Sequence, residues 1–205
     1  IEPAGIHSGD SACCLPAVSL SKDCLATIRN WSIQLAKRLE VRGLINLQFA
    51  VKDHQVFIIE ANPRASRTVP FVAKATGLPL AKIASQIMAG RNLNELGVIN
   101  EPQPPLQAVK EAVLPFRRFP GADSLLGPEM RSTGEVMGTA TSFGMAYAKA
   151  ELGAGEVLPT AGTVFLSTHD RDKQALSAVA KDLAAQGFAL VATSGTARHL
   201  RAQGL

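Results

Sequence analysis

Aromatic residues are scarce in this chain of 205 residues: they make up 5%, with one Trp and one Tyr. Proteins that grip single-stranded nucleic acid need aromatic platforms along a basic groove. Here the basic residues are scattered among acids, so the formal net charge of +4 does not point to a nucleic-acid partner. No apolar run approaches the roughly 20 residues that a membrane-crossing helix requires. Cysteine is limited to Cys13, Cys14 and Cys24. None of them forms a Cys-x-x-Cys pair, which argues against a disulfide framework and against a zinc site, and fits a reducing compartment. Internal repeats and low-complexity tracts are absent. The chain begins Ile1-Glu2-Pro3 rather than with Met, and it stops abruptly at Gln203-Gly204-Leu205. The expectation is a piece of a longer protein.

What remains is an ordinary globular composition, 46% hydrophobic and 19% charged. The patterning divides it into three regions. In residues 1–100, a loop Gly5-Ile6-His7-Ser8-Gly9-Asp10-Ser11 precedes a helical stripe of Leu25, Ile28, Trp31, Leu35 and Leu39, beginning at Ser21 and ending at Gly43. Two strand-like runs follow, 44–51 and 56–61. Then come two short helices, the first stopped by Gly77 and the second opened by Pro79. Residues 101–155 start Pro-rich and give a strand over 108–116, a Gly-Pro loop over 127–135 and a helix over 143–152. Residues 156–205 read strand (163–167), helix (170–185, with Asp170 as N-cap and Leu176, Val179 and Leu183 as its stripe), strand (188–193), then a helix start. The fold class is therefore α/β, and the last region is the opening of a parallel α/β domain. About fifty residues are too few to cover both faces of such a sheet.

The stretch Leu44 to Arg64 carries the chemistry. Side chains alternate between the faces of a strand, so Ile45, Leu47, Phe49 and Val51 share one face, while Asn46 and Gln48 share the other. In the second run Phe57, Ile59 and Ala61 oppose Val56, Ile58, Glu60 and Asn62. A three-residue turn, Asp53-His54-Gln55, sets Gln48 across from Glu60 and Asn46 across from Asn62; a four-residue turn would separate them. Burial of one apolar set favours the first register. Oxygen donors of this kind suit Mg²⁺, which prefers one or two carboxylates together with phosphate oxygens. Arg64, just beyond, can grip a phosphate or carboxylate in bidentate fashion. Patterning alone leaves open a solvent-facing polar side of a hairpin.

Leu44-Ile45-Asn46-Leu47-Gln48-Phe49-Ala50-Val51, followed by Ile59-Glu60-Ala61-Asn62-Pro63-Arg64-Ala65-Ser66-Arg67-Thr68-Val69-Pro70, resembles the metal-binding end of ATP-grasp domains. More narrowly it resembles the large subunit of carbamoyl-phosphate synthase, as do Lys74-Ala75-Thr76-Gly77 and the run Leu126-Gly127-Pro128-Glu129-Met130-Arg131-Ser132-Thr133-Gly134-Glu135-Val136-Met137-Gly138. The continuation after Arg64 sets it apart from biotin carboxylase relatives. The resemblance implies the C-terminal part of the second ATP-grasp half in residues 1–100, a connecting α/β segment in 101–155, and the start of a truncated methylglyoxal-synthase-like regulatory domain in 156–205. It implies an ATP-dependent ligase that phosphorylates carbamate to carbamoyl phosphate for pyrimidine and arginine synthesis, with this piece silent on its own. ATP and Mg²⁺ or Mn²⁺ would be the cofactors. A glutamine amidotransferase supplying ammonia and small-molecule effectors would be the partners, in the cytoplasm or the mitochondrion. Gln48, Glu60 and Asn62 would hold metal, Glu60 bridging two ions. Arg64 would face the transferred phosphoryl group, and Ile6, His7 and Ser8 would line the nucleotide pocket. Glu2, Asp10 and Glu111 match acids that receive a cationic amino-acid activator in some bacterial members; three unrelated surface acids are an equal alternative. Ser167, Lys173, Thr193 and Thr196 match an effector site for nucleotide monophosphates, against plain N-capping by Ser194 or Thr196. An effector-binding module carrying a non-catalytic ATP-grasp remnant is the alternative function.

Overall fold

The computed structural model describes residues 1–98 and 100–205. The chain forms two compact units, Ile1–Glu156 and Val157–Leu205.

In the first unit three strands make an antiparallel sheet: β1 (Cys13–Leu15), β4 (Gln107–Val113) and β5 (Gly134–Ala140), with β4 in the middle. Two of these strands escape sequence reading. β1 is only three residues long and lies in the opening loop. β5 follows a Gly-Pro run that reads as loop, and two glycines, Gly134 and Gly138, weaken its strand pattern. Strand alternation then distributes β4 between two cores. Val109, fully buried, packs with Ala140 and with Ala146 and Ala150 of helix α4 (Phe143–Ala154). Ala108, on the opposite face, packs with Phe71 and Ala75 of helix α2 (Thr68–Thr76). Burying a valine completely contributes about 1.5–3 kcal/mol. Close approach of α4 depends on one glycine. A Cβ on Gly138 would lie 2.1 Å from Ala146 O and 2.5 Å from Ala150 N, both backbone atoms.

Helix α1 (Lys22–Arg38) starts at the expected Ser21, whose side chain accepts from Cys24 N at 3.2 Å. It ends at Leu39 rather than Gly43. Ile28, Trp31 and Leu35 are half-buried as the stripe requires. Leu25 and Leu39, at the two ends of the stripe, are exposed, and Cys24 is the buried residue of the first turn. Helix α2 ends where Gly77 takes φ +74°, a left-handed C-cap, and Pro79 precedes α3 (Leu80–Met88).

The hairpin comprises β2 (Asn46–Lys52) and β3 (Gln55–Asn62). Its turn has two residues, not three: Asp53 and His54 take φ of +50° and +62°, and Lys52 pairs with Gln55. Asp and His are among the residues other than glycine that adopt positive φ more readily than most. A bulge then adds the missing residue. Phe49 pairs with Ile58, but Gln48 pairs with Glu60, so Ile59 is the extra residue of β3. Leu47 pairs with Ala61 and Asn46 with Asn62. The expected partners therefore meet, but the faces of β3 are reassigned. Val56, Ile58 and Ala61 share the face of Leu47, Phe49 and Val51. Phe57 joins Glu60 and Asn62 on the other. Phe49 lies 6.5 Å from Trp31 of α1, ring centre to ring centre, so the apolar face is the one turned to α1.

The second unit has two parallel strands, β6 (Thr163–Leu166) and β7 (Ala189–Ala192), with Leu166 beside Ala192. Helices α5 (Lys173–Ala185) and α6 (Ser194–Ala202) cover one face through Leu166, Ala180 and Leu200. Ala180 takes the place expected for Val179, which is 52% exposed. A 3₁₀ turn over Asp170–Asp172 precedes α5, so Asp170 does not cap it. The other face of the sheet leaves the paired Phe165 and Val191 exposed.

Candidate functional site

Among the expected site residues, His7, Ser8, Gln48, Glu60 and Arg64 line one cavity of about 490 Å³, together with Asn46, Ser66, Arg67, Thr68, Lys110 and Glu135. The bulged hairpin supplies one wall. The amide of Gln48 and the carboxylate of Glu60 sit directly across the ladder from each other, where Cβ atoms lie about 5 Å apart. The loop after β3 supplies Arg64, whose N–H donates to Asn62 O at 2.8 Å and whose Nη1 donates to Ala65 O at 2.9 Å. The opening loop supplies His7, held by His7 N donating to Gly127 O at 2.8 Å. Its Nδ1 accepts from Gly9 N at 3.0 Å, so in the neutral ring Nε2 carries the proton. Asn62 shares the polar face of the hairpin but is not in the cavity lining, and neither is Ile6.

Lys110, Arg67 and Glu135 were missed as site residues. Lys110 is 2% exposed in a strand of small apolar neighbours, Ala108, Val109 and Ala112. A lysine there is the available signal, since lysine is almost never fully buried without a reason. Glu135 pairs its strand position with Ala112 and so shares the Lys110 face. Arg67 Nη1 contacts Met130 Sδ. Among the described residues, no ion pair involves Glu60, Arg64, Arg67, Lys110 or Glu135. Five charged groups thus border one space without neutralising each other.

The expected acids separate. Asp10 is 1% exposed, with Arg131 N donating to Oδ2 at 2.7 Å and Ser132 N donating to Oδ1 at 2.8 Å. Burial pushes its carboxyl up, but the donors of Ser132 and Arg131 and nearby His7 outweigh it, and the net direction is down. Both oxygens are committed to backbone, so Asp10 is a buried structural acid rather than a surface one. Glu2 Oε2 accepts from Ala12 N at 2.6 Å. Glu111 is 9% exposed; burial raises its pKa, and Glu151 and Glu2 raise it further.

In the second unit Ser167 and Thr193 follow the paired ends of β6 and β7, Leu166 and Ala192. Thr193 Oγ1 donates to the buried Thr196 Oγ1 at 3.2 Å. Lys173 Nζ pairs with Asp170 at 2.5 Å and reaches within 3.2 Å of where a Cβ on Gly195 would sit, at the first turn of α6. These four residues gather at the carboxyl edge of the parallel strands, where open α/β sheets bind ligands. Thr193 is the N-cap position of α6, so neither Ser194 nor Thr196 is.

Residues 2–96 match the family described as "Carbamoyl-phosphate synthase L chain, ATP binding domain". All 205 residues align with carbamoyl phosphate synthase large chains. The large chain of Synechocystis sp. is 63% identical over 205 residues, that of Nostoc sp. 60% over 210, and that of Pasteurella multocida 56% over 205. The alignment covers 100% of this chain in each case, and the chain spans 19% of the length of each relative. A biotin carboxylase domain of a single-chain bacterial carboxylase overlaps 49% of this chain and 25% of its own, at 26% identity and a TM-score of 0.46. Among the described residues, no helix is long and apolar enough to cross a membrane.

Proposed function

We propose that the first unit supplies one wall of an ATP-using site that phosphorylates carbamate to carbamoyl phosphate, within a large chain of the kind the chain aligns with. The observation that supports this reading is the cavity in which Gln48, Glu60 and Arg64 meet His7, Ser8 and Lys110. Its donor chemistry fits Mg²⁺ or Mn²⁺. The cavity offers two carboxylates, Glu60 and Glu135, and amide oxygens, and no cluster of three or more His, Cys, Asp or Glu side chains occurs among the described residues. That suits an ion which keeps its waters and takes its remaining ligands from phosphate, not one held in an all-protein cage. Gln48 and Glu60 would hold it, with Asn62 further along the same face. A bound divalent ion would neutralise the phosphate charge that develops during transfer. Arg64 and Arg67 orient the anionic groups, and the buried Lys110 adds a fixed positive charge at the wall of the cavity. Ile6, His7 and Ser8 lie toward the nucleotide.

The activity needs ammonia, which a glutamine amidotransferase partner would provide, and the product would feed pyrimidine and arginine synthesis. We read the second unit as the start of a methylglyoxal-synthase-like effector domain that binds a nucleotide monophosphate through Ser167, Lys173, Thr193 and Thr196. Glu2 and Glu111 are read as acids that receive a cationic amino-acid activator.

The test is Glu60→Gln in the complete large chain with its amidotransferase. The substitution keeps the shape and removes one charge at the ion. Carbamoyl phosphate formation should fall by roughly 10²-fold or more, in line with losses seen when an electrostatic group acting on the transition state is removed. Turnover within threefold of the parent, with an unchanged melting temperature, would refute the assignment.

A further inference from the structure

Lys173 of α5 is held to α6 at two levels. Its ammonium end reaches the first turn of α6: Nζ lies 3.2 Å from where a Cβ on Gly195 would sit, and the side chain is 15% exposed. Its carbonyl is tied to the second turn. Ser177, one turn further along α5, donates its hydroxyl to Lys173 O at 3.2 Å, and the same Oγ lies 3.0 Å from Nε2 of His199 on α6. With the hydroxyl proton given to Lys173 O, only lone pairs remain for the ring, so Nε2 carries the hydrogen and donates to Ser177. The bonds thus run from His199 through Ser177 to the backbone of Lys173, and the lysine side chain closes the loop at Gly195.

Ser177 is 5% exposed and His199 is half-buried, so water competes little for this bond. Among the described residues it is the one side-chain hydrogen bond between α5 and α6. The rest of their packing is apolar, Ala180 and Leu200 with Leu176 and Leu183 beside them. Apolar burial is non-directional and leaves room for sliding; a hydrogen bond fixes a register. Ser177 follows Lys173 by four residues, and His199 follows Thr196 by three. Both therefore stand about 5 Å further along their helices than the groups at the carboxyl edge of the strands, too far back to touch a ligand there themselves.

Resting on the reading of the second unit as an effector domain, we propose that Ser177 and His199 are positioning residues for the phosphate of its nucleotide. They lock α5 against α6, so that Lys173 from one helix and Thr193 and Thr196 from the other reach a single anion together. Without the lock the two helices must be brought into register as the ligand binds, and that ordering is taken out of the affinity.

The experiment is calorimetric titration of the complete large chain with UMP and GMP, with uridine as the control that lacks phosphate. Ser177→Ala and His199→Leu should each weaken the monophosphates about fivefold, the equivalent of one net hydrogen bond. His199→Gln, whose side-chain amide can donate from the place of Nε2, should stay within twofold of the parent. The double variant Ser177→Ala/His199→Leu should lose no more than either single one, because both remove the same bond. If neither monophosphate binds the parent better than uridine, or if Lys173→Met binds as tightly as the parent, the effector reading falls and this proposal with it. If Lys173→Met abolishes binding while Ser177→Ala and His199→Leu stay within twofold, the effector reading stands and the lock is overturned. Equal losses in His199→Gln and His199→Leu, or a double variant whose loss is the product of the two, would also overturn it.

Discussion

Asp10→Asn isolates what one buried carboxylate does for the fold. In the parent, two backbone amides 121 and 122 residues away, those of Arg131 and Ser132, point at the two oxygens of Asp10 at 2.7 and 2.8 Å. The carboxyl is 1% exposed, so water cannot replace either bond. Asparagine keeps one acceptor and turns an NH₂ group toward the other amide. One buried N–H then loses its partner, at about 1–3 kcal/mol, and the surviving bond loses its charge assistance, at about 1 kcal/mol. The sum is about 2–4 kcal/mol. Trp31 is the sole tryptophan and belongs to the first unit, so its fluorescence in urea follows that unit. With a slope of about 2 kcal/mol per molar, the midpoint should drop by about 1–2 M. The pH dependence fixes the sign. The folded pKa of Asp10 is lowered from its ordinary value of 3.8. Its stabilisation is therefore present above that value and is lost as pH falls through the lowered one. The gap between parent and variant should be full at pH 7 and should close below about pH 4. A midpoint shift under 0.3 M at pH 7, or a gap that widens in acid, would refute the structural role and return Asp10 to the effector site.

Two further substitutions test the packing and the cavity, alongside the Glu60 variant. Gly138→Ala puts a carbon 2.1 Å from a backbone oxygen of α4. Since the whole helix must shift, it should destabilise the first unit by about 3 kcal/mol or more, visible in the same urea titration, and an unchanged midpoint would show that α4 does not sit on β5 as described. Lys110→Met removes a buried cation without an ion pair and keeps the side-chain volume. The fold should be as stable as the parent or more so, while carbamoyl phosphate formation by the complete large chain should fall at least 10-fold, and loss of both together would make Lys110 a structural residue instead.

Part of the fold, and the residue pairs of the hairpin, were legible where the signal lies within a few neighbouring residues. Ser21 before α1, Gly77 after α2 and the polar pairs of the hairpin each rest on physics internal to a few residues. What was not legible depends on contacts between distant segments. β1 is three residues long and becomes a strand only because β4, some ninety residues later, pairs with it. Asp10 reads as one more exposed loop acid until Arg131 and Ser132 fold over it. Lys110 is conspicuous in its strand, yet nothing local says that a cavity waits on its side.

The hairpin shows how a correct pairing can rest on a mistaken path. Three turn residues without a bulge, and two turn residues with one, both bring Gln48 opposite Glu60, because each leaves the same number of residues between them. They differ in which β3 residues share that face. The turn with Asp53 and His54 at positive φ sends Val56 and Ile58 to the α1 side, and without a bulge Glu60 would follow them into the apolar layer. Ile59 reverses the alternation at that point and leaves its own side chain 60% exposed. The bulge therefore serves both demands at once: Ile58 stays on the α1 side beside Trp31 and Leu35, and the carboxylate of Glu60 is delivered to the cavity. Bulges of this kind re-aim a side chain where a regular ladder would misdirect it, and that is the local strain to look for when a charged residue follows an apolar run out of phase.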